Sequence, residues 1–181
     1  MYLDEYNQDD FDRGKSGLYI FLWWFIQGTV FKYSLHNMYG WRRFLLRIFG
    51  AKIGKNVKVR SSAKFTYPWK ISIGDYSWVG DEATLYSLDK IIIGNNCVVS
   101  QKAYLCTGSH DYSSKTFDLI TSPIIVEDFS WISTDVFIHP GVTVKRNSIV
   151  GARSNLTKNT KENSVNIGNP AKFIKYRYSE V

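Results

Sequence analysis

The stretch Ile71–Cys106 reads ISIGDYSWVGDEATLYSLDKIIIGNNCVVSQKAYLC, and its period decides the fold. Large apolar residues fall six apart at Ile73, Val79 and Leu85, then again at Ile93, Val99 and Leu105. An α-helix repeats its apolar face at three and four residues and a strand at two, so a period of six belongs to neither. Working outward, the same count runs back through Ile53, Val59 and Phe65 and forward through Val126, Ile132, Ile138, Val144, Val150 and Leu156. The first sets are offset by 73 − 53 = 20 and 93 − 73 = 20 residues, which is three hexapeptides plus two. Short strands at tight corners, three to a coil, satisfy this arithmetic when each coil pairs with the next. The large residue then points into a narrow prism. A compact residue four places later, such as Ser77, Cys97, Ser130 or Ser148, sits where the interior leaves least room. Glycine after the large residue (Gly54, Gly74, Gly80, Gly94, Gly151) is expected to supply the dihedrals of the corner.

The expected organisation follows. Residues 1–52 form an extension and helical cap, 53–161 the β-helix, and 162–181 a last turn with a basic tail. Val126 lies 21 positions after Leu105 where 18 would serve, so 111–123, DYSSKTFDLITSP, should project as a loop. Ahead of the coils, Gly17–Leu35 and Met38–Phe49 read as helices. Trp41, Phe44, Leu45, Ile48 and Phe49 lie at helical spacing with Arg42, Arg43 and Arg47 between them. Two readings stand: a cap over the open end of the solenoid, or a basic amphipathic contact with a membrane surface. The uninterrupted apolar run Leu18–Ile26 falls short of the roughly 20 residues a span requires.

The chain has 181 residues and a formal charge of 23 − 16 = +7, a balance that suits nucleic acid, an anionic membrane or a phosphorylated small molecule. Its aromatics follow the coil and cap patterns and form no stacking platform, which argues against nucleic acid. Two cysteines, Cys97 and Cys106, are too few for a disulfide framework and suit a reducing compartment. The acidic start MYLDEYNQDD lacks the basic region of a secretory signal, so the expected location is the cytoplasm, including the inner membrane face.

Of three histidines, His36 lies in the cap and His139, in IHPGV, reads as an outward turn residue. His110, in LCTGSHDY, ends a hexapeptide where the projecting loop begins, a sheltered edge suited to a general base. The histidines are too far apart to suggest zinc, and no nucleophile stands in an activating constellation, although Cys106 lies four residues from His110.

The segments CTGSHDY, WISTDVFIHPGVTV and GNPAKFIK, with the AKIG that opens the coils, resemble the colanic-acid and capsule-type O-acetyltransferases. These belong with the maltose, galactoside and nodulation acetyltransferases, and the resemblance covers roughly Trp41 to Tyr176. It implies a left-handed parallel β-helix, whereas general crossover rules favour the right hand. It implies a homotrimer with active sites between subunits, acetyl-CoA as donor, no metal, and a saccharide or sugar-nucleotide acceptor. It makes His110 the catalytic base, with Asp111 as a candidate orienter of its ring. By the same resemblance Trp131, Thr134, Gly151, Ala152, Thr157 and Lys158 are expected along the coenzyme, with Lys172 and Lys175 at its phosphates. Residues 145–181 carry eight Lys or Arg against two Glu, which agrees with that last assignment. Asp81, Asp89, Trp78 and Tyr86 are expected on the acceptor side. Ser133, Lys145 and Arg153 stand where the family commonly has glycine, which predicts a narrower coenzyme channel. Competing readings are an N-acetyltransferase on an amino sugar nucleotide and a non-catalytic β-helix scaffold.

Overall fold

A computed structural model describes residues 2–8 and 10–178. Helix α1 (Gly17–Ile26) runs into a π-helical turn (Gln27–Phe31), and α2 (Tyr39–Ile48) follows. Strands β1 (Lys52–Ile53), β2 (Lys58–Val59) and β3 (Lys64–Phe65) make the first coil. The second coil is β4 (Ile71–Ile73), β5 (Trp78–Val79) and β6 (Thr84–Tyr86), and the third is β7 (Ile91–Ile93), β8 (Val98–Val99) and β9 (Tyr104–Cys106). A hairpin of β10 (Gly108–His110) and β11 (Leu119–Thr121) interrupts the solenoid. It resumes with β12 (Ile124–Val126), β13 (Trp131–Ile132) and β14 (Phe137–Ile138), then β15 (Thr143–Val144), β16 (Ile149–Val150) and β17 (Asn155–Leu156). Strand β18 (Ser164–Gly168) starts a sixth coil, and β19 (Ala171–Tyr176) folds back on it antiparallel where a turn and tail were expected.

The coils stack as three parallel sheets. Sheet A is β1-β4-β7-β12-β15, sheet C is β17-β14-β9-β6-β3, and sheet B runs β2-β5-β8-β13-β16-β18 with β19 on its edge. Ile73 pairs with Ile93, Ile93 with Val126 and Val126 with Val144, so the apolar column crosses the hairpin insertion without a slip. Those side chains are buried in one continuous core with the coil residues of sheets B and C. At the corner after sheet A, Ser77, Ser130 and Ser148 are buried, and their hydroxyls donate to carbonyls of the next coil at Gly94, Lys145 and Lys161. A small residue there fits the narrow corner and satisfies a buried carbonyl at once.

The glycines have a different cause from the expected one. The left-handed corner positions are held by other residues, among them Asn56, Tyr76, Asn96, Lys102, Asp135 and Asn147. Gly74 and Gly94 stand where consecutive coils nearly touch: a Cβ on Gly74 would lie 2.6 Å from the carbonyl carbon of Gly94. Close backbone approach excludes a side chain there.

The cap closes the first coil. Trp23 and Phe31 are fully buried against it, Trp23 Nε1 donates to the Phe65 carbonyl (2.8 Å), and the Phe65 N–H donates to Gln27 Oε1 (2.6 Å). An open solenoid end presents unpaired backbone groups. Helix α2 answers them with its arginines: Arg43 donates to Val57, Arg42 to Val59, and Arg47 to Ile53 and Gly54. The basic face of α2 is therefore committed to the coil edge.

All surplus residues gather at one corner, between sheets C and A. Ile73 follows Phe65, and Ile93 follows Leu85, at a step of eight there in place of six, and the hairpin leaves from the same corner one coil later. Ile20, Tyr67 and Leu88 make a second small core on it, with Phe11, Trp69, Tyr86 and Leu119 packed around. An N-terminal arm is pinned along this corner by bonds from Trp69 to the Arg13 carbonyl (2.7 Å), from Lys70 to the Asp12 carbonyl (2.9 Å) and from the Tyr2 N–H to the Lys115 carbonyl (2.8 Å).

Candidate active site

His110 ends β10 and pairs with Leu119 across the hairpin. Its Nδ1 lies 2.7 Å from the Phe117 carbonyl, which can only accept, so Nδ1 carries a proton, and in the neutral ring the lone pair is on Nε2. The Phe117 ring lies flat on the imidazole, centroids 4.1 Å apart and planes 3° from parallel, while Tyr6 of the N-terminal arm approaches at 5.7 Å. Phe117 takes φ 55°, a left-handed conformation uncommon for a large side chain, and that residue supplies both the carbonyl and the stacking ring.

The orienter is thus a backbone carbonyl. Asp111 points into its own loop, where it accepts from the Ser113 N–H (2.8 Å) and hydroxyl (2.5 Å). Those bonds, hydroxyl first, hold its carboxyl below the usual range. Asp118 is held down in the same way by Thr116 and Ser114, at 2.6 and 2.7 Å. The two carboxylates brace the loop that carries Phe117.

Tyr86 and Asp89 stand at the same corner as His110. The Asp89 N–H donates to Thr107 Oγ1 (2.9 Å), which itself donates to the Tyr86 carbonyl (2.7 Å). Gly108 sits so close beneath that an added Cβ would lie 2.7 Å from Leu88 and 3.3 Å from the Tyr86 ring. Trp78 and Asp81 are not brought to His110 within the protomer. Trp78 lies on sheet B beneath the Lys58 ammonium (4.4 Å), and Asp81, past the far edge of sheet C, binds Arg60 (2.7 Å) and Ser62 (2.8 Å). They line a separate cavity of about 550 Å³ with Tyr39, Lys58 and Lys102.

The expected coenzyme residues also divide. Trp131 is on sheet B, with Nε1 donating to Ser100 Oγ (2.9 Å). Thr134, Gly151 and Ala152 follow at the corner between sheets B and C on successive coils, where the Arg153 N–H donates to the Thr134 carbonyl (3.0 Å). Lys172 and Lys175 are exposed on β19, at the free edge of sheet B. Thr157 and Lys158 instead follow β17, at the corner that carries His110 two coils earlier. The three departures from glycine differ in fate: Ser133 is buried, the Lys145 ammonium binds Glu127 (2.8 Å), and Arg153 lies 3.5 Å from Asp135. His139 is half-buried, with Nε2 2.7 Å from Asn155 Oδ1, and both ring nitrogens of His36 face Arg60.

Neither cysteine is poised as a nucleophile. Burial pushes the Cys97 thiol up to about 11 and raises that of Cys106, whose Sγ donates to the Gly108 carbonyl (3.1 Å). Cys106→Ala is expected to keep turnover, measured by thiol release, within about twofold of the parent, because a thiol raised by burial is a poor nucleophile. A loss of two orders of magnitude or more would overturn that. Among the described residues no group of three or more His, Cys, Asp or Glu is placed to hold a metal ion.

Sequence reasoning missed Phe117 and Tyr6. Tyr6 lies 104 positions from the imidazole it touches, and nothing in TFDL signals a left-handed phenylalanine.

The chain matches no protein-family model. It is 52% identical over 165 residues to WcaF of Escherichia coli K12, assigned as a colanic acid biosynthesis acetyltransferase, and the match covers 91% of each chain. Among solved structures it superposes on a maltose O-acetyltransferase from Clostridium difficile 630 with a TM-score of 0.81 at 26% identity, covering 89% of each chain. A galactoside acetyltransferase in complex with coenzyme A superposes equally, TM-score 0.81 and 26% identity, over 91% of this chain and 84% of that one. Period, corner geometry and these likenesses together make the chain a member of the hexapeptide-repeat acetyltransferases, built on a left-handed parallel β-helix.

Proposed function

We propose that the protein transfers the acetyl group of acetyl-CoA to a hydroxyl of a saccharide that enters an exopolysaccharide of the colanic acid kind, with His110 as general base. The observation that carries this reading is the Phe117 carbonyl on Nδ1, which leaves Nε2 as the basic nitrogen of a neutral ring. Nε2 takes the proton of the acceptor hydroxyl as its oxygen attacks the thioester carbonyl carbon. The tetrahedral intermediate collapses, the carbon–sulfur bond breaks, and the imidazolium returns its proton to the departing sulfur. No group on the protein is acylated. Tyr86 and Asp89, at the His110 corner, are the acceptor-side residues nearest in the fold to the base.

The working form is a homotrimer. His110 with Thr157 and Lys158, and Trp131 with Thr134, Gly151 and Ala152, flank opposite edges of sheet C. An extended coenzyme running along one corner of a protomer meets only one of these sets. A second copy supplies the other, and threefold closure makes three equal seams. Lys172 and Lys175 then serve the coenzyme phosphates as flexible cations. Acetyl-CoA and two unpaired thiols suit the cytoplasm.

The test is transfer from acetyl-CoA to neutral oligosaccharides and to amino-sugar nucleotides, with thiol release as the rate and mass spectrometry of the product. An acetyl ester, released by mild alkali, is the expected product. An alkali-stable amide would replace this reading with N-acetylation, and failure to bind acetyl-CoA would leave a scaffold.

A further inference from the structure

Helix α1 is apolar on every side, yet its own chain covers only one. Ile20 and Trp23 are buried against the first coil. On the opposite side, at i, i+3, i+4 and i+7, Leu18, Phe21, Leu22 and Phe25 stand 79, 65, 47 and 57% exposed, with Trp24 at 49% beside them. A helix hydrophobic all round is ordinarily enclosed. Helix α2 extends the same surface. It is tied to α1 by Trp41 Nε1 donating to the Val30 carbonyl (3.2 Å) and Tyr19 donating to the Ile48 carbonyl (3.3 Å), and it exposes Phe44 and Ile48. The polar side chains here are already bonded within the chain: Thr29 donates to the Phe25 carbonyl of its own helical segment, and Gln27 accepts from Phe65. The outer face therefore offers a partner almost no hydrogen bonds, whereas protein interfaces carry about one per 100–200 Å².

Charge says which partner fits. Residues 13–74, the cap, the first coil and β4, contain 12 Lys or Arg and no Asp or Glu. The rest of the chain holds 23 − 12 = 11 basic residues against 16 acidic ones, a balance of −5, so the segment that carries the apolar face is the basic part of the chain, with Asp75 and Asp81 of the second coil lying against it. The first coil sets an exposed lysine on each side of its triangle, Lys52 on sheet A, Lys58 on sheet B and Lys64 on sheet C. Among the described residues no helix is long and apolar enough to cross a membrane, and α1 has only 10 residues.

We infer that this end docks on an anionic phospholipid surface, with α1 lying in the interface and the lysine collar facing the headgroups. Apolar insertion and a basic patch are the two signals that stable peripheral binding needs. The inference is independent of the acetyl-transfer reading, because binding is read without turnover.

Flotation of the full chain with phosphatidylcholine vesicles, and with vesicles in which roughly a third of that lipid is phosphatidylglycerol, tests it. The protein is expected to float with the anionic vesicles and much less with the neutral ones, and to be released as salt rises from about 0.05 to about 0.5 M. The combined variant Phe21→Glu, Leu22→Glu, Phe25→Glu should weaken binding roughly tenfold or more, and Lys52→Gln with Lys64→Gln should do so to a lesser degree. Both change exposed positions, so an unaltered melting temperature is the control, and the lysine variant serves alone if the helix variant misfolds. Wild-type protein that stays with the unfloated fraction, or variants that float as it does, would overturn the inference. So would a helix variant whose sedimentation shows a smaller assembly, since a second copy would then be what covers the face.

Discussion

On the proposed mechanism, His110→Ala is expected to lower kcat for acetyl transfer by about 10²–10⁴, the usual worth of a positioned general base, and to leave the fold and coenzyme binding intact. The imidazole is half-buried on a projecting hairpin, outside the prism. Removing it deletes one stacking contact and one bond to the Phe117 carbonyl, which the loop can turn toward water. The cost in stability is about that of an ordinary surface change, of order 0.5 kcal/mol. The loss should fall on kcat with little change in KM for acetyl-CoA, because a base acts on the acceptor proton in the transition state and holds nothing in the ground state. Steady-state kinetics beside isothermal titration with coenzyme A separate the two. Retention of more than about a tenth of the activity would mean that another group takes the proton. Loss of coenzyme binding would mean that the residue supports the site in place of working in it.

The geometry behind this expectation was only half readable in the chain. The period at Ile73, Val79 and Leu85 specifies a three-sided coil because no other regular structure repeats at six, and the pairing of Ile93 with Val126 follows even across the hairpin. His110 is legible through its motif and its place where the period breaks. Its orienter is not, since a carbonyl belongs to every residue and only folding decides that Phe117 delivers one, while the adjacent carboxylate of Asp111 turns to Ser113. Trp78 on sheet B and Asp81 at its corner with sheet C lie apart from His110 within one protomer. A solenoid assigns residues to corners by counting, and each coil has three corners, so nearness in coil number does not place two side chains on one edge. The arginines of α2 show a third limit: spacing reveals an amphipathic basic helix, and only the unpaired carbonyls at Val57, Val59 and Ile53 explain what the charge is for.

Gly94→Ala destabilises the protein by about 1–3 kcal/mol or more, the range for forcing atoms into a filled site. The position follows β7, and its backbone is not left-handed, so alanine meets no dihedral penalty there. The obstacle is the fourth coil. A new Cβ would lie 2.8 Å from the Asp128 backbone nitrogen and 3.1 Å from its Cα, in the space where the Asp128 carboxylate accepts the Asn95 N–H at 2.7 Å. Backbone cannot swing aside as a side-chain tip can, so the third and fourth coils must part or the Asn95 bond must break. Each kcal/mol lowers the melting temperature by roughly 2–4 °C for a chain of this length. Asn96→Gly, two residues on, is the matched control. Asn96 takes φ 53°, a conformation that glycine adopts freely, so that change should be close to neutral. Calorimetry on the pair decides between the two reasons a corner of this solenoid has for excluding a side chain. If Gly94→Ala melts with the parent while Asn96→Gly gains markedly, dihedral freedom is the stronger constraint, and the close stacking of coils is slack enough to yield.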